Sequence, residues 1–344
     1  MTQLSELIAR EIAQTGPISV ARYMELCLSH PKHGYYATRD PLGVAGDFTT
    51  APEISQMFGE MLGVWAAAVW TSMGRPGFNL VELGPGRGTL MADMMRVLRK
   101  AGAAPQIWLI ETSPALRAEQ LVRVPDGNWA DTLDAVPDGP AILIANEFLD
   151  ALPVHQFLRS PEGWRERQVG LTDGDLAFGL SAPVPDREEM RDWLEVSPIA
   201  DAIVRKIGER LAAHPGAALL VDYGYTSADA PPGPTLQALR RHEQVSPLHK
   251  PGDCDITWLI DFERTRDLLG RDAITDLTVQ GAFLARMSIG ARAEALAKAK
   301  PEAANAVAGA LERLTGPDHM GTLFKVLAAR SPGLPPPPGF EDPR

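Results

Sequence analysis

Leu4, Leu7, Ile8 and Ile12 recur at three- and four-residue spacing, so the chain opens on an amphipathic helix that Gly16-Pro17 ends. Ser19 is placed to cap a second helix through Tyr23, Met24 and Leu28, stopped near Pro31. The stretch HGYYATRDPLGVAGDFTTAPE that follows is rich in Gly, Pro and Thr and reads as a loop. A longer apolar helix is expected from about Pro52 to Trp70, with Pro52 in its first turn.

From Asn79 the pattern changes. NLVELG, QIWLIE, AILIANE and AALLVDYG are short apolar runs with the character of buried strands, and TLMADMMRVLRKAG and PALRAEQLVRV are amphipathic helices among them. This alternation predicts a parallel sheet covered on both faces, the doubly wound α/β class. More chain separates the last two of these strands than a plain crossover needs. Within it VHQFLRS, WRERQVGLT and DLAFGLS predict an antiparallel β-insertion, and a helix from about Pro198 to Ala213 returns to the sheet. DAITDLTVQG and TLFKVLAAR predict a closing strand pair, with a helical segment between them that includes Leu284, Ala293, Leu296 and Leu311. The proline-rich end, SPGLPPPPGFEDPR, reads as extended and disordered. The expected division is a helical N-terminal region (1–74), an α/β domain (75–330) with its insertion at about 154–197, and a tail (331–344).

Composition narrows the chemistry. The 344 residues carry a formal charge of −11, which argues against binding to nucleic acid phosphates but not against a protein substrate that presents a cationic side chain. Cys27 and Cys254 stand far apart and outside metal-type spacing, and His30 and His33 have no acid or cysteine cluster near them. No metal site or disulfide framework is expected. The N-terminus lacks a secretory apolar core, and the run from Met61 to Trp70 is too short for a membrane span. The expected setting is the cytoplasm, without membrane insertion.

The strongest local signal is Val81-Glu82-Leu83-Gly84-Pro85-Gly86-Arg87-Gly88-Thr89, a strand running into a glycine-rich turn that opens a helix. Such a turn admits close approach of a ligand, and nucleotide-binding folds share it. It lacks both the dinucleotide spacing and the GK[ST] ending of a phosphate cradle. Glu82 beside it suits a sulfonium cation better than a pyrophosphate, so S-adenosylmethionine is the expected cofactor. Glu111, followed by Thr112 and Ser113, ends the second strand, where a carboxylate can accept both ribose hydroxyls. Trp129 lies where an adenine pocket forms; it either stacks on the base or is a core tryptophan.

With ELGPGRGTL the chain combines GDFTTAPEISQMFGE, ANEFLDALPVHQF, VDYG, PGDCDITWLIDF and MGTLFKVL, in that order. In these motifs it resembles the MidA family, from about Gly16 to Leu327, with Ala51 standing where serine is expected. The resemblance implies a Rossmann-like methyltransferase core with a helical N-terminal region and a β-rich insertion. It also implies dimethylation of an arginine in the large hydrophilic quinone-site subunit of respiratory complex I. A cofactor-binding assembly chaperone and a methyltransferase acting on a small molecule are the alternatives.

An arginine nucleophile needs carboxylates that fix its plane and concentrate electron density on one nitrogen. Asn146-Glu147-Phe148-Leu149-Asp150 follows a buried strand, and Glu147 and Asp150 would face one pocket if that segment turned helically. Asp47 and Thr49, in the glycine-rich loop, are placed to fold over the cofactor as a lid. The catalytic candidates are therefore Glu147, Asp150 and Asp47. The cofactor-binding candidates are Glu82, Gly84, Pro85, Gly86, Gly88, Glu111, Thr112, Ser113, Trp129, Asn146 and Thr49. Asp222 either borders the substrate channel or caps the next turn. His155 and His249 are possible bases, and Asp253 and Asp255 either contact substrate or order a loop.

Overall fold

The computed structural model describes residues 2–38, 49–186, 189, 191–240 and 243–340, which fall into two compact units. One unit comprises Thr49–Leu149, Ile203–Ser227 and Ile260–Arg344; the other comprises Met1–Phe48, Asp150–Ala202 and Ala228–Leu259.

The first unit is built on a twisted sheet of strands β1 (Asn79–Leu83), β2 (Gln106–Ile110), β3 (Asn128–Ala130), β4 (Ala141–Asn146), β5 (Gly216–Tyr225), β6 (Ile274–Val279) and β7 (Phe324–Arg330). Their spatial order is β3-β2-β1-β4-β5-β7-β6, with β7 antiparallel to both neighbours and the remaining pairings parallel. The order reverses between β1 and β4, and open α/β sheets bind ligands beyond the carboxyl ends of strands at such a point. One face of the sheet, through Leu80, Leu109, Ile142, Ile144 and Leu219, joins Met57, Trp65, Met91 and Met94 in a continuous apolar core.

Helices α1 (Gln56–Ser72) and α2 (Thr89–Lys100) close that face. They approach tightly because Gly59 and Gly63 stand at the contact: a Cβ on Gly59 would lie 2.6 Å from Asp93 Cβ, and one on Gly63 2.9 Å from Val97 Cβ. The helix expected from Pro52 to Trp70 is thus two. A short turn, Ala51–Ile54, is separated from α1 by Ser55, whose backbone is extended and whose hydroxyl accepts from Met57 N–H. That local bond competes with helix continuation. Because α1 packs on α2, the α/β unit reaches back to Thr49 rather than starting near residue 75. The chain end also departs from the expected disorder: as far as Phe340 it packs on the unit, with the Phe340 ring 5.5 Å from that of Phe283.

The other unit holds helices Gln3–Thr15 and Val20–Ser29, capped by the hydroxyls of Thr2 and Ser19. The three strands expected of the insertion are present as His155–Ser160, Gly163–Thr172 and Asp175–Pro183. Trp193–Val196 and Ile18–Ser19 complete an antiparallel sheet with them. A small sheet of Gln237–Arg240, Glu243–Val245 and Asp255–Thr257 lies in the segment 228–259, which the strand pattern does not announce. Among the described residues no helix is long and apolar enough to cross a membrane.

Candidate active site

β1 delivers the chain into the turn Gly84-Pro85-Gly86-Arg87-Gly88, whose three glycines all have positive φ (64°, 52° and 79°). Gly84 is also sterically required, since a Cβ there would stand 2.6 Å from the Phe148 ring. The turn is closed by Gly88 N–H to Pro85 O at 2.7 Å and anchored to β2 by Gly84 N–H to Ile110 O at 3.1 Å. From the other side Glu53 grips it: Thr89 Oγ1 donates to Glu53 Oε1 at 2.5 Å, and Arg87 stands 3.7 Å from Oε2. Glu53 went unrecognised in the sequence, where it reads as an ordinary first-turn acid.

Glu82 occupies the face of β1 that carries Leu80, inside the apolar core, and is 3% exposed. Burial pushes its pKa up to about 8, against the opposing effect of the Met91 backbone hydrogen bond. One carboxyl oxygen has no partner. At neutral pH the group is largely the neutral acid. It braces the start of α2 beneath the turn instead of offering a full negative charge to a sulfonium, as the sequence suggested.

Glu111 follows β2, and its Oε1 accepts from Ser113 N–H at 2.7 Å, with a further bond from Thr112 N–H. Burial raises its pKa while these donors oppose the shift. Thr112 and Ser113 therefore act through their backbones, and Ser113 also caps helix α3 (Pro114–Arg123). Trp129 sits on β3 beside this corner, half-buried, with its indole N–H donating to Gln120 Oε1 at 2.8 Å. Gln120, on α3, also reaches Gly86 O, and no feature of its sequence context marks it.

At the end of β4, Glu147 adopts a left-handed backbone (φ 49°), a conformation that costs a non-glycine residue about 1 kcal/mol or more. Its Oε1 accepts from Ala51 N–H at 2.9 Å and from Asn146 Nδ2 at 3.2 Å, and Oε2 faces the Tyr223 hydroxyl at 3.4 Å. Asn146 Oδ1 is buried without a hydrogen-bond partner. Of the two readings of Asp222, the turn cap is seen: its carboxylate accepts from the Leu149 and Tyr223 N–H groups after β4. The glycine cradle, the Glu111 carboxylate after β2 and the orphaned Asn146 acceptor fit the expected cofactor, an adenosine nucleoside carrying an amino-acid head. Thr49 lies two residues before Ala51, and Asp47 lies outside the described residues.

The segment after Glu147 does not turn helically, so Glu147 and Asp150 do not share a helix face. The unit boundary falls between Leu149 and Asp150. Asp150, 3% exposed, belongs with Asp255 and Tyr36; the Tyr36 hydroxyl lies 3.4 Å from Asp255, and burial together with both acids raises its pKa. His155 is held 2.6 Å from Glu166 within its sheet, and His249 lies in a turn that accepts the Cys254 thiol. His30 Nδ1 accepts from the backbone of Lys32 and His33. Among the described residues no cluster of His, Cys, Asp or Glu could hold a metal ion.

A family model described as "Putative S-adenosyl-L-methionine-dependent methyltransferase" matches residues 61–281. The mouse protein named protein arginine methyltransferase NDUFAF7, mitochondrial, is 36% identical over 95% of this chain and 84% of its own. The Drosophila melanogaster homolog of that name is 36% identical over 94% and 84%. A solved structure described as a "likely methyl transferase from Burkholderia thailandensis bound to S-adenosyl-homocysteine" is 28% identical, with a TM-score of 0.84 over 98% of this chain and 93% of that one. The cytoplasmic setting expected from the sequence is corrected by these relatives, which are named mitochondrial. Charge and cysteine content do not distinguish one reducing compartment from another.

Proposed function

The chain belongs to the family of S-adenosyl-L-methionine-dependent methyltransferases whose model it matches, and we propose that it methylates an arginine nitrogen of a protein, with Glu147 holding the guanidinium. The observation that carries this is the Glu147 carboxylate, fixed by Ala51 and Asn146 at the carboxyl end of β4 and held in a strained backbone. Strain of this kind persists where the surroundings over-determine it, and it clusters at functional sites. The name carried by the mouse relative supports arginine as the acceptor.

S-adenosylmethionine supplies an activated methyl group on a sulfonium. The turn 84–88, Glu111 and Trp129 would hold its adenosine, and Asn146, whose Oδ1 is buried without a partner, would face its amino-acid head. Glu147 pairs with the incoming guanidinium, fixes its plane and aligns one nitrogen for in-line attack; positioning accounts for much of the rate in such a reaction. Methylation releases one proton from the guanidinium nitrogen and leaves the cofactor as its neutral thioether, and Glu147 Oε2 would accept that proton. Thr49, two residues before Ala51, is assigned to the cofactor. The proposed substrate is the large hydrophilic quinone-site subunit of NADH-quinone oxidoreductase, as the family resemblance implies.

The test is transfer from methyl-labelled S-adenosylmethionine into a lysate from cells lacking this protein, followed by mass spectrometry of the labelled species. Methylated arginine in that subunit, lost with Glu147→Gln, supports the proposal. Label confined to small molecules overturns the protein substrate. Normal complex assembly by the Glu147→Gln protein, with methylation lost, would favour the chaperone alternative.

A further inference from the structure

Gln120 is fully buried on α3, and its amide is committed to three separate segments of the cofactor corner. Nε2 donates to Gly86 O at 2.6 Å and reaches Glu111 Oε2 at 3.4 Å, while Oε1 accepts from the Trp129 indole N–H at 2.8 Å. Its stem also backs the turn, since a Cβ on Gly88 would stand 3.4 Å from Gln120 Cγ. The amide has one satisfactory orientation, because an indole N–H only donates and a carbonyl only accepts. One side chain therefore joins the turn after β1, the acid after β2 and the aromatic ring on β3.

We propose that Gln120 is a positioning residue for S-adenosylmethionine: its amide sets the turn, the ribose-side carboxylate and the adenine-side indole relative to one another. The proposal rests on the assignment of Glu111 and Trp129 to the adenosine. Glu111 already accepts from Thr112 and Ser113, and the Gln120 donor fixes which lone pairs remain for the ribose hydroxyls. Without Gln120, the indole N–H and the Gly86 carbonyl both lose their partner. A hydrophobic side chain of similar length would fill the space and supply none of these bonds.

Glutamate at this position separates the amide's role from its bulk. As a carboxylate it still accepts from Trp129, but it sets acceptor against acceptor at Gly86 O and Glu111. Protonated, it regains a donor and matches glutamine closely in shape. Gln120→Glu should therefore bind cofactor poorly at high pH and regain affinity as pH falls, which a purely space-filling role would not produce.

The experiment is calorimetric titration with S-adenosylhomocysteine between about pH 5.5 and 8.5, each variant compared with wild type at the same pH. Gln120→Glu should bind roughly 30-fold more weakly at the upper end, where a bond is replaced by repulsion, and recover to within about threefold at the lower end. Gln120→Leu should be weakened roughly 10-fold at every pH, and Trp129→Phe, which keeps the ring and loses the N–H, roughly 3- to 10-fold. A Gln120→Glu affinity that parallels wild type across the range would overturn the proposal. So would wild-type affinity in Trp129→Phe, a variant that decides the matter even if the Gln120 substitutions fail to fold. Glu111→Ala distinguishes the two levels. If it binds like wild type, the adenosine assignment itself fails. If it loses binding while both Gln120 variants match wild type, the assignment stands and only the role of Gln120 falls.

Discussion

Replacing Glu82 by glutamine isolates the cost of a carboxyl buried in the apolar core beneath the cofactor turn. The folded pKa of about 8 lies above the ordinary value of 4.5, so the native state holds the proton more tightly than the unfolded chain does. The contribution of this group is fully present below the unfolded value and is lost as pH rises through the folded one. The difference of 3.5 units (8 minus 4.5) corresponds to on the order of 5 kcal/mol across that window, at about 1.4 kcal/mol per unit. Glutamine does not titrate. It adds a pH-independent cost of roughly 1–3 kcal/mol for the amide group that replaces the unpartnered oxygen, so the slope carries the information and not the absolute value. Urea unfolding of wild type and Glu82→Gln between about pH 5 and 9 should show the variant gaining on wild type steadily up to pH 8, then levelling off. A stability difference that is flat with pH would mean that Glu82 ionises normally in the folded protein, and the brace beneath the turn would have to be reconsidered.

Two further outcomes are expected. Glu147→Gln should lower methyl transfer by roughly 100-fold or more while S-adenosylhomocysteine affinity, measured by calorimetry, changes by less than about fivefold. A comparable loss of affinity would make Glu147 a cofactor ligand. Gly63→Leu should destabilise the α/β unit by about 2–4 kcal/mol, read as a lowered melting temperature, because its Cβ meets Val97 Cβ at 2.9 Å and the Met94 backbone at 3.1 Å.

What the sequence made legible is what rests on local rules. Leu4, Ile8 and Ile12 at helical spacing, the cap Ser19, and the run from NLVELG into GPGRG each encode their structure within a few residues. Helix Pro198–Ala213 and the closing pair β6 and β7 follow the same logic. Ser55 interrupts an otherwise helical stretch through a single side-chain bond, which residue type permits but does not require. The polar strand Glu243–Val245 has no apolar alternation to betray it. In the site, Glu111 and the glycines were readable because they stand at strand ends. The position of Glu147 at a strand end was readable, but its left-handed backbone was not, and the inference that it shares a face with Asp150 assumed a helical turn that is absent. Gln120 lies in PALRAEQLVRV beside Glu119 and, as a polar residue, looks like a surface one, while its apolar neighbours Leu121 and Val122 are the exposed side chains; only the sheet order brings β1, β2 and β3 together around it.

The most direct test of the central claim is calorimetric titration of the purified chain with S-adenosylmethionine and, separately, with NAD. The account predicts saturable binding of the first alone, abolished by Gly86→Val, which forces a β-branched residue into a backbone with φ of 52°. Binding of NAD alone, or of neither compound, would contradict it.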